Sequence, residues 1–412
     1  MIPLVLLALD KIVGHYLWLL KSGRGLPQSE DSQWYINYAN ALMNDFTIGF
    51  HMNDLLYFGY NILLTLLLAL FKDPVTVIFV QAVTASLSVI LVYQIARMLF
   101  NRTTAIIASY FYYDTYAITL WAMYILSDSF FITVLLLCVY FLLLSMETNK
   151  RIYRILFMVT SLYMLVFRPA GIVAFCFIML YVAVMYRTTV TAFIKKHRFA
   201  VGGSAAAVLG ACVFMYSAGK LTPLITSLQF NAKMVLYNVY AKGWVYDRST
   251  PQDYFFKPDY TVNICNSLIL SFIINNWDHV LVLYGKRVIA FFGKWVWQTD
   301  LTSIRGILRF ADHLLPSLLF AAGTIAALVN RSFKKASIVW LVILAVFIFC
   351  ILLFIDGMYR YRAPAIPFIA IAAAYGAERI IRVAVSLTKK YAEKLIRYGK
   401  RKIMDRDPGI SG

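Results

Sequence analysis

Residues 55–71 read LLYFGYNILLTLLLALF. The run is apolar and continuous rather than alternating, and it stops at Lys72-Asp73-Pro74, so it reads as a helix in an apolar setting. At 17 residues it sits at the lower limit of a bilayer span. Whether it crosses decides on which side every later loop lies. Its neighbours leave little doubt about the solvent. Apolar runs recur at 2–20, 75–97, 103–122, 128–146, 152–167, 170–187, 199–217, 310–329, 337–355 and 364–383. The chain is 61% hydrophobic and 14% charged, against about 25% charged in a soluble domain. In lipid every backbone polar group must be paired internally, which leaves helices or a closed barrel, and continuous runs select helices. The expected fold is an all-α integral membrane protein with about ten transmembrane helices.

The charge places the loops. Net charge is +19 over 412 residues, and residues 379–406 alone carry ten Lys/Arg against Glu393 and Asp405. A basic stretch next to a span marks the cytoplasmic side and anionic headgroups rather than nucleic acid. Residues 384–412 are therefore read as a cytoplasmic tail after a membrane domain over 1–383. Counting back, the loops holding Arg331/Lys334/Lys335, Arg187/Lys195/Lys196/Arg198, Lys150/Arg151/Arg154 and Arg97/Arg102 fall on that same side. They do so only if 55–71 does not cross. We therefore expect 55–71 to be an interfacial or re-entrant helix within an outer loop spanning 21–74. Within that loop, 31–44 reads as a helix on the membrane surface, with Trp34, Tyr35, Tyr38, Leu42 and Met43 on one face. A second outer loop covers 218–307. There Lys286, Arg287 and Lys294 make 280–297 a poor span, and Trp244, Trp277, Trp295 and Trp297 suit the interface or a sugar. The first run is interrupted by Asp10, Lys11 and His15. The five cysteines have no metal-ligand or disulfide spacing.

This arrangement puts four polar stretches on the extracytoplasmic face. They are Glu30-Asp31, the turn before Asp128, the Arg168-Pro169 turn, and Asp356-Gly357-Met358-Tyr359-Arg360-Tyr361-Arg362. Arginines on that side run against the usual charge bias, and an anionic ligand in the outer leaflet would explain them. Asp31 and Asp128 are the candidate catalytic carboxylates, for deprotonating a hydroxyl or amine or for holding an acceptor or a metal ion. Both positions also suit the start of a helix. Arg360 and Arg362 present planar forks that match phosphate. Two residues apart, they would point differently on a helix and alike on an extended segment. Tyr361, Arg168, Glu30 and Tyr35 complete the candidate substrate-binding set. His51, His279 and His313 show no paired ligand spacing, and no Gly-rich nucleotide loop is present. The one cofactor left open is a divalent metal ion.

Taken in order, these features resemble a known family. Asp31 and Tyr35 form a D-x-x-x-Y ahead of an amphipathic helix, and Gly59-Tyr60 and Gln81 follow. Next come Tyr93-Gln94-Ile95-Ala96-Arg97-Met98-Leu99-Phe100, Leu126-Ser127-Asp128, Leu165-Val166-Phe167-Arg168-Pro169, and Arg360-Tyr361-Arg362-Ala363-Pro364. The set is similar to the GT-C superfamily of integral membrane glycosyltransferases, above all protein O-mannosyltransferases and lipid A aminoarabinose transferases. It covers most of residues 1–383. The resemblance implies a polyprenyl- or dolichyl-phosphate sugar as donor and a site on the outer or luminal face. It implies that Asp31 is the base or acceptor-binding carboxylate and Asp128 the second acidic residue, with outer-face arginines on the donor phosphate. It also implies interfacial helices between the first two spans. One departure is the first-loop acidic pair, usually Asp-Glu: here Ser32 follows Asp31 and the second carboxylate, Glu30, precedes it, so either could be the working group.

The expected function is a multi-pass enzyme of the plasma or inner membrane. It would transfer sugar from a polyprenyl-phosphate donor to a glycan, lipid or protein acceptor. The alternatives are a lipid-linked glycan flippase, which would need a continuous polar path, and a ligase-type glycan polymerase. Asp31 and Asp128 on opposite faces would rule out the transferase reading.

Overall fold

The computed structural model describes residues 1–49, 52–222, 225–226, 256–292, 301–353 and 358–404. His51, Trp244, Lys294, Trp295, Trp297, Asp356 and Gly357 lie outside them. Among the described residues every regular element is helical. Among the described residues six helices are long and apolar enough to cross a membrane, or up to eight if each of two sharply bent pairs is one span. Of the remaining expected spans, 103–122 is broken and 152–167 is short, while 364–383 lies in a long helix that carries Glu378, Arg379 and Arg382.

Helix α1 (Ile2–Lys21) runs antiparallel to α5 (Pro74–Leu99): the Ser86 hydroxyl donates to Ala8 O at 3.3 Å, and Tyr16 Oη to Val75 O at 3.1 Å. Between them lie α2 (Glu30–Asp45), α3 (Met52–Leu56) and α4 (Phe58–Phe71). Fourteen residues make a helix of about 21 Å, short of a hydrocarbon core of about 30 Å. Helix α4 by itself is thus shorter than that core, the length expected of a segment that does not cross. Its first turn is pinned beside α9 (Arg151–Phe167), where Tyr163 Oη donates to Gly59 O at 2.9 Å. A Cβ on Gly59 would lie 3.1 Å from Val166 O and 3.2 Å from the Phe167 backbone, so a glycine lets the two helices touch there. Asp73 caps α5, accepting from the Val75 and Thr76 backbone N–H groups at 3.0 Å each.

The run 103–122, expected as one span, is two helices, α6 (Arg102–Asp114) and α7 (Tyr116–Trp121). Thr115 between them is extended, and its hydroxyl bonds back to Phe111 O at 2.7 Å. Asp and Thr offer the backbone such side-chain alternatives to a helix. The break explains Lys11, whose ammonium donates to both the Asp114 carbonyl (2.8 Å) and its carboxylate (2.5 Å). After α7 the chain turns across α5. Gln81 Nε2 donates to the carbonyls of Ala122 (3.0 Å) and Tyr124 (2.6 Å), fixing the turn that leads into α8 (Ser127–Thr148).

Helices α8, α9 and α10 (Pro169–Met185) go down, up and down. Pro169 forces Arg168 out of the helical region, to φ −165° and ψ 147°, which ends α9 and starts α10 in one step. Helix α11 (Arg187–Lys196) bends 91° from α10, and α12 (Arg198–Ser217) follows, with no buried residues. A second bent pair, α13 (Leu268–Asn275) and α14 (Trp277–Phe292), breaks by 88° between Asn275 and Trp277, just ahead of the stretch 280–297 expected to be a poor span.

Helices α15 (Ile304–Val329) and α16 (Phe333–Ile348) are followed by a π-helical turn, Phe349–Leu353, then by the short α17 (Met358–Tyr361), a 3-10 turn at Ala363–Ala365, and α18 (Ile366–Met404). Gly376 of α18 and Gly323 of α15 lie at the crossing of their helices, where a Cβ on either would run into the partner's backbone. Helix α18 is 39 residues long, so the boundary expected at 383/384 falls inside one continuous helix.

Candidate functional site

Four charged side chains from distant parts of the chain meet at one end of the bundle. Asp128 is the second residue of α8 and is fully buried. Its Oδ1 accepts from Arg168 Nη1, and its Oδ2 from Arg360 Nε at 2.8 Å. Arg360 then reaches outward, and its Nη1 donates to Asp31 Oδ2 at 2.5 Å. Asp31 is likewise the second residue of its helix, α2. Both carboxylates thus sit where helix dipoles favour negative charge. Their surroundings differ: the Asp31 side chain is 54% exposed, Arg360 14%, Arg168 1% and Asp128 0%.

Local sequence accounts for each position. Ser29 caps α2 in a reciprocal capping box with Ser32, so Glu30 and Asp31 fall in the first turn. Only Asp31 of the two carries an ion pair to Arg360; Glu30 is exposed. Leu126 is extended ahead of α8, which points Asp128 into the bundle. A buried arginine on a buried carboxylate offsets a desolvation cost of several kcal/mol per ion. Asp128 carries two such partners.

Arg360 and Arg362 part company because the backbone there is helical. Arg362 is also buried, but its Nη1 donates to Phe291 O at 3.0 Å. Tyr361 lies between the other two arginines, its ring 5.1 Å from the Arg168 guanidinium and 5.6 Å from that of Arg360. Tyr35, one turn past Asp31, is buried with its hydroxyl 3.4 Å from Ser127 Oγ, tying α2 to the start of α8. Burial pushes its phenol well above the ordinary tyrosine range, so it stays a neutral hydroxyl.

Three residues outside the expected set also build the site. Tyr57 and Tyr60 pack their rings 5.7 and 4.7 Å from Tyr35, forming an aromatic collar. Arg287 on α14 is buried, and its Nη2 donates to Cys350 O of the π-helical turn at 3.3 Å. The only advance sign of Arg287 was a charge in an otherwise apolar run; Tyr60 was visible only as part of the Gly59-Tyr60 feature, and Tyr57 carried no signal of its own.

Arg168 Nε and Nη2 and the Tyr60 hydroxyl are buried without a hydrogen-bond partner among the described residues. Buried donors are seldom left so. The site therefore has both positive charge and unused donors for an anion. Among the described residues no group of three His, Cys, Asp or Glu side chains is placed to hold a metal ion.

The site is recessed. Helices α5 and α8 run side by side in the same direction, joined by Ser88 Oγ and Thr133 Oγ1 at 2.7 Å. Ser88 lies 14 residues into α5 and Thr133 six residues into α8. Asp128 therefore starts its helix about 12 Å deeper than α5 begins.

Comparison with known families supports reading this helical bundle as a membrane glycosyltransferase of the GT-C type. Residues 58–216 match the family model for dolichyl-phosphate-mannose-protein mannosyltransferase. The matched segment is less than half of the chain; it holds Tyr60, Asp128 and Arg168 but neither Asp31 nor Arg360. No curated protein and no solved structure matches the chain.

Proposed function

We propose that the protein transfers a sugar from a polyprenyl-phosphate donor to a glycan, lipid or protein acceptor on the extracytoplasmic side of the membrane. The observation that carries this reading is the Arg360 bridge between Asp31 and Asp128, with Arg168 on the far side of Asp128. It joins a half-exposed carboxylate suited to a base to guanidinium groups suited to a phosphate. The family description, which names a dolichyl-phosphate sugar, supports a donor of that chemistry. The exposed Lys/Arg loops at the opposite end support an extracytoplasmic site.

In this reading Asp31 takes the proton as an acceptor hydroxyl or amine attacks the anomeric carbon. The carbon–oxygen bond to phosphate breaks with inversion, and polyprenyl phosphate leaves with the electron pair. Its charge rises as it leaves, and Arg360 and Arg168, with the unused Arg168 donors, stabilise it. Asp128 is too buried to meet an acceptor and instead orients the two guanidinium groups. Tyr361 packs against both. Arg362, tied to the Phe291 carbonyl, is the weaker phosphate candidate of the pair. Glu30 sits beside the base at the mouth. Mass spectrometry of envelope glycans and lipids from a strain lacking the protein tests this. One glycosylated product should disappear and return with the wild-type chain but not with Asp31→Asn. An unchanged profile would refute the reading.

A further inference from the structure

We infer that Arg360 is a charge latch that makes the reaction ordered: it occupies Asp31 until a donor phosphate draws it away. The inference rests on the donor reading above and adds to it a coupling between the two substrates.

The geometry is asymmetric in the way a latch requires. Arg360 Nε is anchored on Asp128, inside the protein, where breaking a charge pair is costly. Its Nη1 contact is to Asp31, which is more than half exposed, and exposed ion pairs contribute little. Of the two contacts, the one to Asp31 is the easier to exchange. While it lasts, the Asp31 Oδ2 oxygen is engaged by a guanidinium rather than open to an acceptor proton. The acceptor then meets an occupied base.

A phosphate entering beside Arg168 competes for the same Nη1 edge. Arg168 presents two buried donors without partners among the described residues, and the Tyr361 ring lies against both guanidinium groups. A lipid phosphate held by Arg168 and Arg360 would replace the Asp31 contact while leaving the Asp128 anchor intact. Asp31 is then released beside the sugar that is to be transferred. Water reaching the site without donor finds the carboxylate still latched.

The latch predicts that Asp31 and phosphate compete for Arg360, which a double-mutant cycle can measure. The probe is a short-chain prenyl phosphate carrying no sugar, titrated into the full-length chain purified in mild detergent. Asp31→Asn should tighten binding about tenfold, within the usual range of coupling between sites. Arg360→Gln should weaken binding about tenfold or more. In the Arg360→Gln background, Asp31→Asn should change affinity by less than about twofold. Arg360→Lys guards against misfolding of the Gln variant: a lysine keeps the charge but not the planar fork, so it should bind the probe with Asp31 coupling reduced. If Asp31→Asn leaves affinity unchanged, or tightens it equally with and without Arg360, the latch is overturned while the donor reading stands. If both Arg360 variants fold and neither weakens binding, the phosphate role of Arg360 fails, and the latch with it.

Discussion

The two ends of this bundle are both rich in cations, and they handle them in opposite ways. At one end Arg97, Arg102, Lys150, Arg151, Arg154, Arg187 and Lys335 are exposed. Where they bond, they bond to helix ends: Lys335 Nζ to Met98 O at 2.8 Å, Arg154 Nη2 to Asn149 O at 3.0 Å. At the other end Arg168, Arg287 and Arg362 are buried and Arg360 nearly so, with Asp128 at the centre. Exposed cations at a membrane boundary need only water and headgroups. Buried ones need a fixed partner, here the Asp128 carboxylate for Arg168 and Arg360 and backbone carbonyls for Arg287 and Arg362. In the proposed function the same residue types therefore mark topology at one end and chemistry at the other.

That contrast can be broken by mutation. Asp128→Asn leaves two guanidinium groups without their buried counter-charge and should cost about 3–5 kcal/mol of stability, read as a lower unfolding midpoint in detergent. A change under about 1 kcal/mol would mean that water already solvates the cluster. Asp73→Ala removes a cap on α5 away from the cluster and should cost about 1 kcal/mol. Hydrogen bonds from the Val75 N–H and the Thr76 hydroxyl hold the Asp73 carboxyl below its ordinary value. Its contribution is therefore fully present above the unfolded carboxyl value of about 4 and is lost as pH falls through the lower folded one. The gap between variant and wild type should narrow with acidification; a gap that widens would contradict the cap. Arg154→Ala, at the basic end, should change stability by no more than about 0.5 kcal/mol. A loss as large as that of Asp128→Asn would erase the distinction between the two ends.

Much of this was legible in the chain, for physical reasons that also explain what was not. Apolar runs report the solvent, so the helical class and the shortness of the helix within 55–71 followed from the pattern of the chain. Counting loops put Asp31, Asp128, Arg168 and the 360–362 segment at one end, and in the structure their side chains meet or adjoin. Counting could not separate Arg360 from Arg362, because that turns on whether three residues are helical or extended. The break at Thr115 was hidden because the Lys11 ammonium that meets the freed end of α6 at Asp114 lies on another helix. Arg287 was hidden because a charge in an apolar run reads as a defect until its carbonyl partner is seen. Tyr57 and Tyr60 gain meaning only from Tyr35, which reaches them through folding rather than along the chain.

The central claim is that Asp31 is the base of a sugar transfer. The most direct test is the transfer rate of purified Asp31→Asn with a polyprenyl-phosphate sugar and the acceptor found in the envelope profile. The account predicts a fall of about 10²–10⁴-fold, with the unfolding midpoint unchanged. A folded Asp31→Asn protein that transfers sugar at the wild-type rate would contradict it.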